Sequence, residues 1–224
     1  MNEELDSAES IRKIILRATT EEDKEVRTQY LGRFAVEIDE FVDGMSRAFE
    51  RWRELDRGCA LRSRHAHVSA LVYSAITLNI ESMNLFLAGW LGAAGNVQRQ
   101  ALESIATAFL VCSPDLKVFE QYTKGHYSAS KAPAQLMKHH SKFRLNKEAV
   151  AILTRSVDFY HNWSHANLMT LATHMGQSGD VMYVGAAFDE GRDEEYQKEA
   201  SGRASLASIF ENIVESVRSN IILS

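Results

Sequence analysis

Along residues 67–91 the apolar side chains Val68, Val72, Ile76, Ile80, Met83, Leu87 and Leu91 recur at steps of three and four. That is the period of one helical face. Leu71, Ala75, Leu78 and Phe86 fill the adjoining face. A helix apolar around so much of its circumference belongs at the centre of a bundle. A second such helix follows over 96–112, with Val97, Ala101, Leu102, Ile105, Ala108, Phe109 and Cys112. Gly92 and Gly95 lie at the junction. They predict a short turn and an antiparallel hairpin of residues 67–91 and 96–112.

Other helical patterns flank this pair. Residues 20–56 give one long amphipathic stretch carrying Tyr30, Phe34, Ile38, Phe41, Met45, Phe49 and Trp52. Ser113-Pro114-Asp115 and Asn146-Lys147-Glu148 have the capping chemistry of helix starts. The second of these opens a stretch that extends toward His174. The C-terminal pattern, about 192–222, carries Leu206, Ile209, Phe210, Ile213, Val217 and Ile221. Residues 1–18 form a further N-terminal helix. The 175–191 segment is expected as a loop or short hairpin insertion, with Val181–Val184 a short strand or an extended link. No repeat and no strand–helix alternation is present. The predicted architecture is an all-α, single-domain helical bundle spanning 1–224.

Composition agrees and narrows the class. The chain has 224 residues, 45% hydrophobic and 25% charged, with only 2 Pro. That suffices for one well-packed core. Two cysteines, Cys59 and Cys112, cannot make a disulfide framework, and no CxxC is present. The acidic start MNEELDSAES has no signal-peptide character, so a cytoplasmic location is expected. The longest apolar run, 85–94, is about half a membrane span, so no membrane partner is expected.

Charge is segregated. Residues 1–46 hold 12 acids and 6 bases, net −6, whereas residues 47–157 hold 8 acids and 15 bases, net +7. The stretch 121–147 has no acid at all. It carries Lys131, Lys138, Lys142, Arg144 and Lys147 among Tyr122, Tyr127 and Phe143. Cations interleaved with aromatics suit single-stranded nucleic acid, where bases stack and phosphates pair. The competing reading is a solvated helix face balanced by the acidic terminal helices.

Polar residues interrupt the apolar helices. Glu81 and Asn84 lie on the first hairpin helix, Arg99 and Glu103 on the second, and Asp158 later. Ionised groups near a core are costly unless paired, so these five are expected to form a buried polar network. Asp158, His161 and His165 share one helical face beside Tyr160. Histidine titrates near neutrality and acts as acid, base or metal ligand. A metal site is not expected, because HNWSH lacks the Glu of the zinc-protease helix motif. No nucleophile elbow, phosphate loop or dinucleotide fingerprint occurs, so no cofactor is expected.

Arg155-Ser-Val-Asp-Phe-Tyr-His161 fits an Arg-x(4–6)-His motif. With LFLAGWLGAAGNVQRQALESIATAFL and FYHNWSHANL, it makes residues 60–220 resemble the HEPN-like helical-bundle proteins. The resemblance implies a homodimer that binds RNA, or a metal-independent ribonuclease of the toxin or defence type with a protein partner such as an antitoxin. It implies Arg155 and His161 as the catalytic pair, with His165 and Tyr160 supporting. Ser156 departs from the Asn, Asp or His that active members often carry after the Arg. Two other classes stay open: a non-catalytic protein-interaction module with a structural polar network, and a small-ligand-binding bundle with its pocket at Glu81, Asn84, Arg99 and Glu103 beside Trp90 or Trp163.

Overall fold

The computed structural model describes residues 8–59, 63–164, 168–176 and 182–222. Within these described residues ten α-helices follow one another: α1 Ala8–Thr20, α2 Lys24–Arg33, α3 Ala35–Arg57, α4 Ser63–Leu87, α5 Leu91–Cys112, α6 Val118–Thr123, α7 Ala132–His139, α8 Lys147–His161, α9 Leu168–Ala172 and α10 Asp193–Ile222. Among the described residues there is no strand. Met175 and Met182 form one isolated antiparallel bridge. Val181 lies outside the described residues.

The all-α expectation holds, and α4 and α5 form the central hairpin. Its turn is shifted from the expected place. Gly92 and Gly95 lie inside α5, and the chain reverses at Gly89, whose φ is +79°. Gly89 N–H donates to Phe86 O and Trp90 N–H to Leu85 O, both at 2.9 Å. This paired closure needs a left-handed residue just past the helix, which glycine adopts without steric cost. A second buried pairing joins α3 to α10. There Gly44 lets the two backbones nearly touch, since a Cβ at this position would sit 2.5 Å from the Ala207 carbonyl.

The long stretch over 20–56 divides at Phe34 (φ −115°, ψ 30°) into α2 and α3. The hydrogen-bond ladder continues across it, from Phe34 N–H to Tyr30 O and from Ile38 N–H to Phe34 O. The division is therefore a kink. It turns Tyr30 and Phe34 onto Phe86, with ring centroids 5.1 and 5.6 Å away. Phe188 and Tyr196 close the same aromatic cluster against Tyr30. Each such buried ring contributes roughly 1.5–3 kcal/mol.

The stretch from Asn146 toward His174 also breaks. Asn146 caps α8 by accepting from Glu148 N–H and Ala149 N–H, but the helix ends at His161 and a 3₁₀ turn follows. Helix α4 is long and apolar enough to cross a bilayer by length and composition, with mean hydropathy 1.3, and half of that window is buried within the bundle. The run 85–94 understated this because isolated polar residues such as Ser82 and Asn84 interrupt α4.

Candidate functional site

Helix α5 is the platform on which the chemistry is arranged. It packs against α4, α7, α8 and α10. Gly95 is the seat for the end of α8. A Cβ there would lie 2.6 Å from Trp163 Cε3 and 3.2 Å from Tyr160 Cδ1, so only hydrogen lets the 160–163 turn settle on α5. This brings His161 to Arg99 one turn further along.

Arg99 Nη1 donates to His161 Nδ1 at 3.3 Å, and Arg99 Nε lies 3.5 Å from Glu103 Oε1. A guanidinium only donates, so His161 Nδ1 is the acceptor in this contact. Burial pushes the Glu103 carboxyl above its ordinary range, against the pull of Arg99 and His161. His161 itself is exposed. Members of two separate sequence stripes thus meet at one surface point.

Arg155 does not join them. It is exposed and pairs with Glu148 at 3.1 Å, two turns back on α8. Six residues at about 100° each place Arg155 and His161 about 120° apart around the helix. His165 lies outside the described residues. Tyr160 is buried, and its hydroxyl donates to Glu199 Oε2 at 3.1 Å. Desolvation raises its pKa well above the ordinary phenol value.

Three members of the expected polar network are not in the core. Glu81, Asn84 and Asp158 are exposed, and Asn84 Oδ1 accepts from Arg27 Nη2 at 3.0 Å. The face of α4 that turns inward carries Asn79 and Ser82 instead. The buried network runs through Ser82, Tyr160, Glu199 and Arg203. Arg203 is 1% exposed. It donates to Ser82 Oγ at 3.1 Å and to Glu199 Oε2 at 2.5 Å, and lies over the rings of Phe86 and Tyr160 at 5.0 and 5.9 Å.

Lys131, Lys138, Lys142, Arg144 and Lys147 are all exposed, and Lys142 pairs with Asp115. Their aromatic neighbours are turned inward. Phe143 is buried, while Tyr122 and Tyr127 pack against the core, with the Tyr127 hydroxyl donating to Gln135 Oε1 at 2.7 Å. Lys147 and His161 stand at opposite ends of α8, about 21 Å apart along its axis. Among the described residues no three His, Cys, Asp or Glu side chains gather where a metal ion could be held.

A sizeable cavity lies elsewhere. Helices α8 and α10 both pack on α5 but scarcely on each other. The gap between them is a groove of about 530 Å³. Leu102, Ile105 and Phe109 of α5 form its floor. Ile152 and Leu153 of α8 face Leu206, Ile209 and Ile213 of α10 across it. Among the described residues no charged side chain lines it. The rim residues Ile152 and Ile209 are 53% and 50% exposed. Gln98 lies at the floor, 2% exposed, and its Oε1 has no hydrogen-bond partner among the described residues. The apolar stripes of α8 and α10 looked like core faces in the sequence, and only their separation in space turns them into a groove.

No protein-family model, no curated protein and no solved structure matches this chain.

Proposed function

We propose that the chain is a ligand-binding helical bundle that takes a small apolar molecule into the groove between α5, α8 and α10. One observation carries the reading: a groove of about 530 Å³ whose described lining is apolar and uncharged, with a few polar groups among it. Ligand sites have this character and fall between about 300 and 1,000 Å³. Exposed isoleucines on both rims are costly in water and gain from a ligand that covers them. This groove is favoured over a pocket at Glu81, Asn84, Arg99 and Glu103, two of whose residues, Glu81 and Asn84, are exposed on α4.

The test is a titration with N-phenyl-1-naphthylamine, a neutral probe that fluoresces in apolar surroundings. The wild type gives saturable enhancement. Ile209→Glu, which puts a charge on an already exposed rim position, abolishes it while the circular dichroism spectrum stays unchanged. No saturable binding by the wild type overturns the reading. Loss of a dimer in Ile209→Glu, with no probe bound by either protein, assigns the groove to a second copy instead.

A second reading keeps the HEPN-like resemblance. The contact of Arg99 with His161, supported by Glu103, favours it. In a homodimeric ribonuclease of this type the RNA 2′-oxygen attacks its own phosphorus and gives up its proton. The 5′-oxygen leaves with a proton, and a 2′,3′-cyclic phosphate forms. His161 would move the proton and Arg99 would neutralise the charge on phosphorus. The exposed cations from Lys131 to Lys147 would hold the strand toward the far end of α8. Cleavage of end-labelled RNA in the presence of chelator, lost in His161→Ala and Arg99→Ala but kept in Arg155→Ala, supports this reading. Absence of cleavage removes it.

A further inference from the structure

Resting on the groove reading above, we infer that the ligand is a neutral, elongated, apolar molecule carrying one hydrogen-bond donor, of the fatty-alcohol or fatty-amide type, and that Gln98 Oε1 receives that donor. Three observations converge on this class. The first is the missing partner of Gln98. A buried carbonyl oxygen without a donor is costly, and nearly all such atoms in folded proteins are paired. Gln98 is among the residues lining the groove floor, so a turn of its side chain toward the groove brings Oε1 to a donor on a bound molecule.

The second observation is the absence of charge. No described lining residue is Lys, Arg, His, Asp or Glu. A carboxylate, phosphate or ammonium entering the groove would lose its water and find no opposite charge in exchange. The basic segment 121–147 touches the groove through Leu136, Leu145 and Asn146, not through its lysines. The third is shape. The lining positions on α10 run from Gly202 to Ser216, which at the helical rise is about 21 Å. A long chain fits this slot better than a compact ring system. Ser156, Ser205, Asn212 and Ser216 leave single hydroxyl and amide groups along the slot and add no charge.

The experiment displaces N-phenyl-1-naphthylamine from the full chain at pH 8 with four twelve-carbon competitors: 1-dodecanol, dodecyl methyl ether, dodecanoate and dodecylammonium. In the wild type, dodecanol competes at a concentration at least ~tenfold below either ion. It outcompetes the ether, which has no donor, by about fivefold, the worth of one hydrogen bond. In Gln98→Leu the probe still binds and the alcohol loses its advantage over the ether. Because Gln98 Oε1 is unpaired, leucine there removes no described hydrogen bond, and a melting curve checks that the variant folds. Equal competition by alcohol and ether in the wild type overturns the inference, as does dodecanoate matching the alcohol. Either result leaves the groove reading standing. Failure of the probe to bind the wild type at all overturns that reading, and this inference with it.

Discussion

Arg203→Met tests the logic of the buried network most sharply. Methionine keeps an unbranched apolar stem like that of arginine and deletes the guanidinium. Three polar groups feel the loss. Ser82 Oγ and the Glu199 backbone oxygen each lose a 3.1 Å donor. Glu199 Oε2 loses its 2.5 Å donor and keeps only the Tyr160 hydroxyl. The Glu199 side chain is mostly buried, so the surviving carboxylate is left with little water and no cation. Breaking a buried pair from one side costs about 3–5 kcal/mol. In a chain of this size each kcal/mol lowers Tm by about 2–4 °C, which gives a fall of roughly 6–20 °C. Urea unfolding followed by circular dichroism measures it. The double variant Glu199→Gln/Arg203→Met removes the stranded charge and recovers more than half of the loss. A cost below about 1 kcal/mol for the single variant, the worth of an exposed pair, refutes the reasoning. So does a double variant no more stable than the single one. Tyr160 belongs both to this network and to the groove lining, so the single variant also weakens probe binding.

Other outcomes follow from particular positions. Gly44→Ala forces the α3 and α10 backbones apart and costs at least ~2 kcal/mol, while Gly32→Ala, with open space around it, gains ~0.5–1 kcal/mol; paired denaturation curves read both. Burial raises the Glu103 carboxyl pKa over the opposing pull of Arg99 and His161. The folded state therefore holds that proton more tightly than the unfolded chain does. The resulting stability is full below the unfolded value of ~4.3 and is lost as pH rises through the folded one. Glu103→Gln is thus more stable than wild type at pH 8, with the gain vanishing toward pH 4, and an unchanged difference across that range contradicts the assignment. Desolvation pushes the Cys112 thiol up to about 12, and the residue is 1% exposed. Its reaction with a thiol reagent follows the unfolding rate, and fast labelling of the native protein contradicts that burial.

The legible parts of the fold are those where pattern and environment agree. The α4–α5 hairpin was visible because α4 is apolar on two adjoining faces, and Asn146 announced α8 by its capping chemistry. The kink at Phe34 was hidden, since the apolar spacing runs through Leu31, Phe34, Ile38 and Phe41 unbroken and no proline marks it. Glu199 and Arg203 have the spacing of an ordinary solvent-exposed pair, and nothing local says that α10 buries them. The Arg155–His161 spacing suggested a pair along the chain, but on a helix six residues do not share a face. Arg99 and Glu103 were singled out with the right chemistry, and their meeting with His161 depends on Gly95, whose role is visible only once Trp163 lies on it. The groove needed the spacing between two helices, which no single segment encodes.

The most direct measurement of the central claim uses isoleucine methyl groups as reporters. Ile152, Ile209 and Ile213 are among the residues that line the groove, while Ile11, Ile14 and Ile15 lie on α1, outside its lining. In a methyl NMR titration with 1-dodecanol, the three groove methyls shift together and saturate, and the three on α1 stay still. Unmoved groove methyls, or equal movement on α1, would contradict the account.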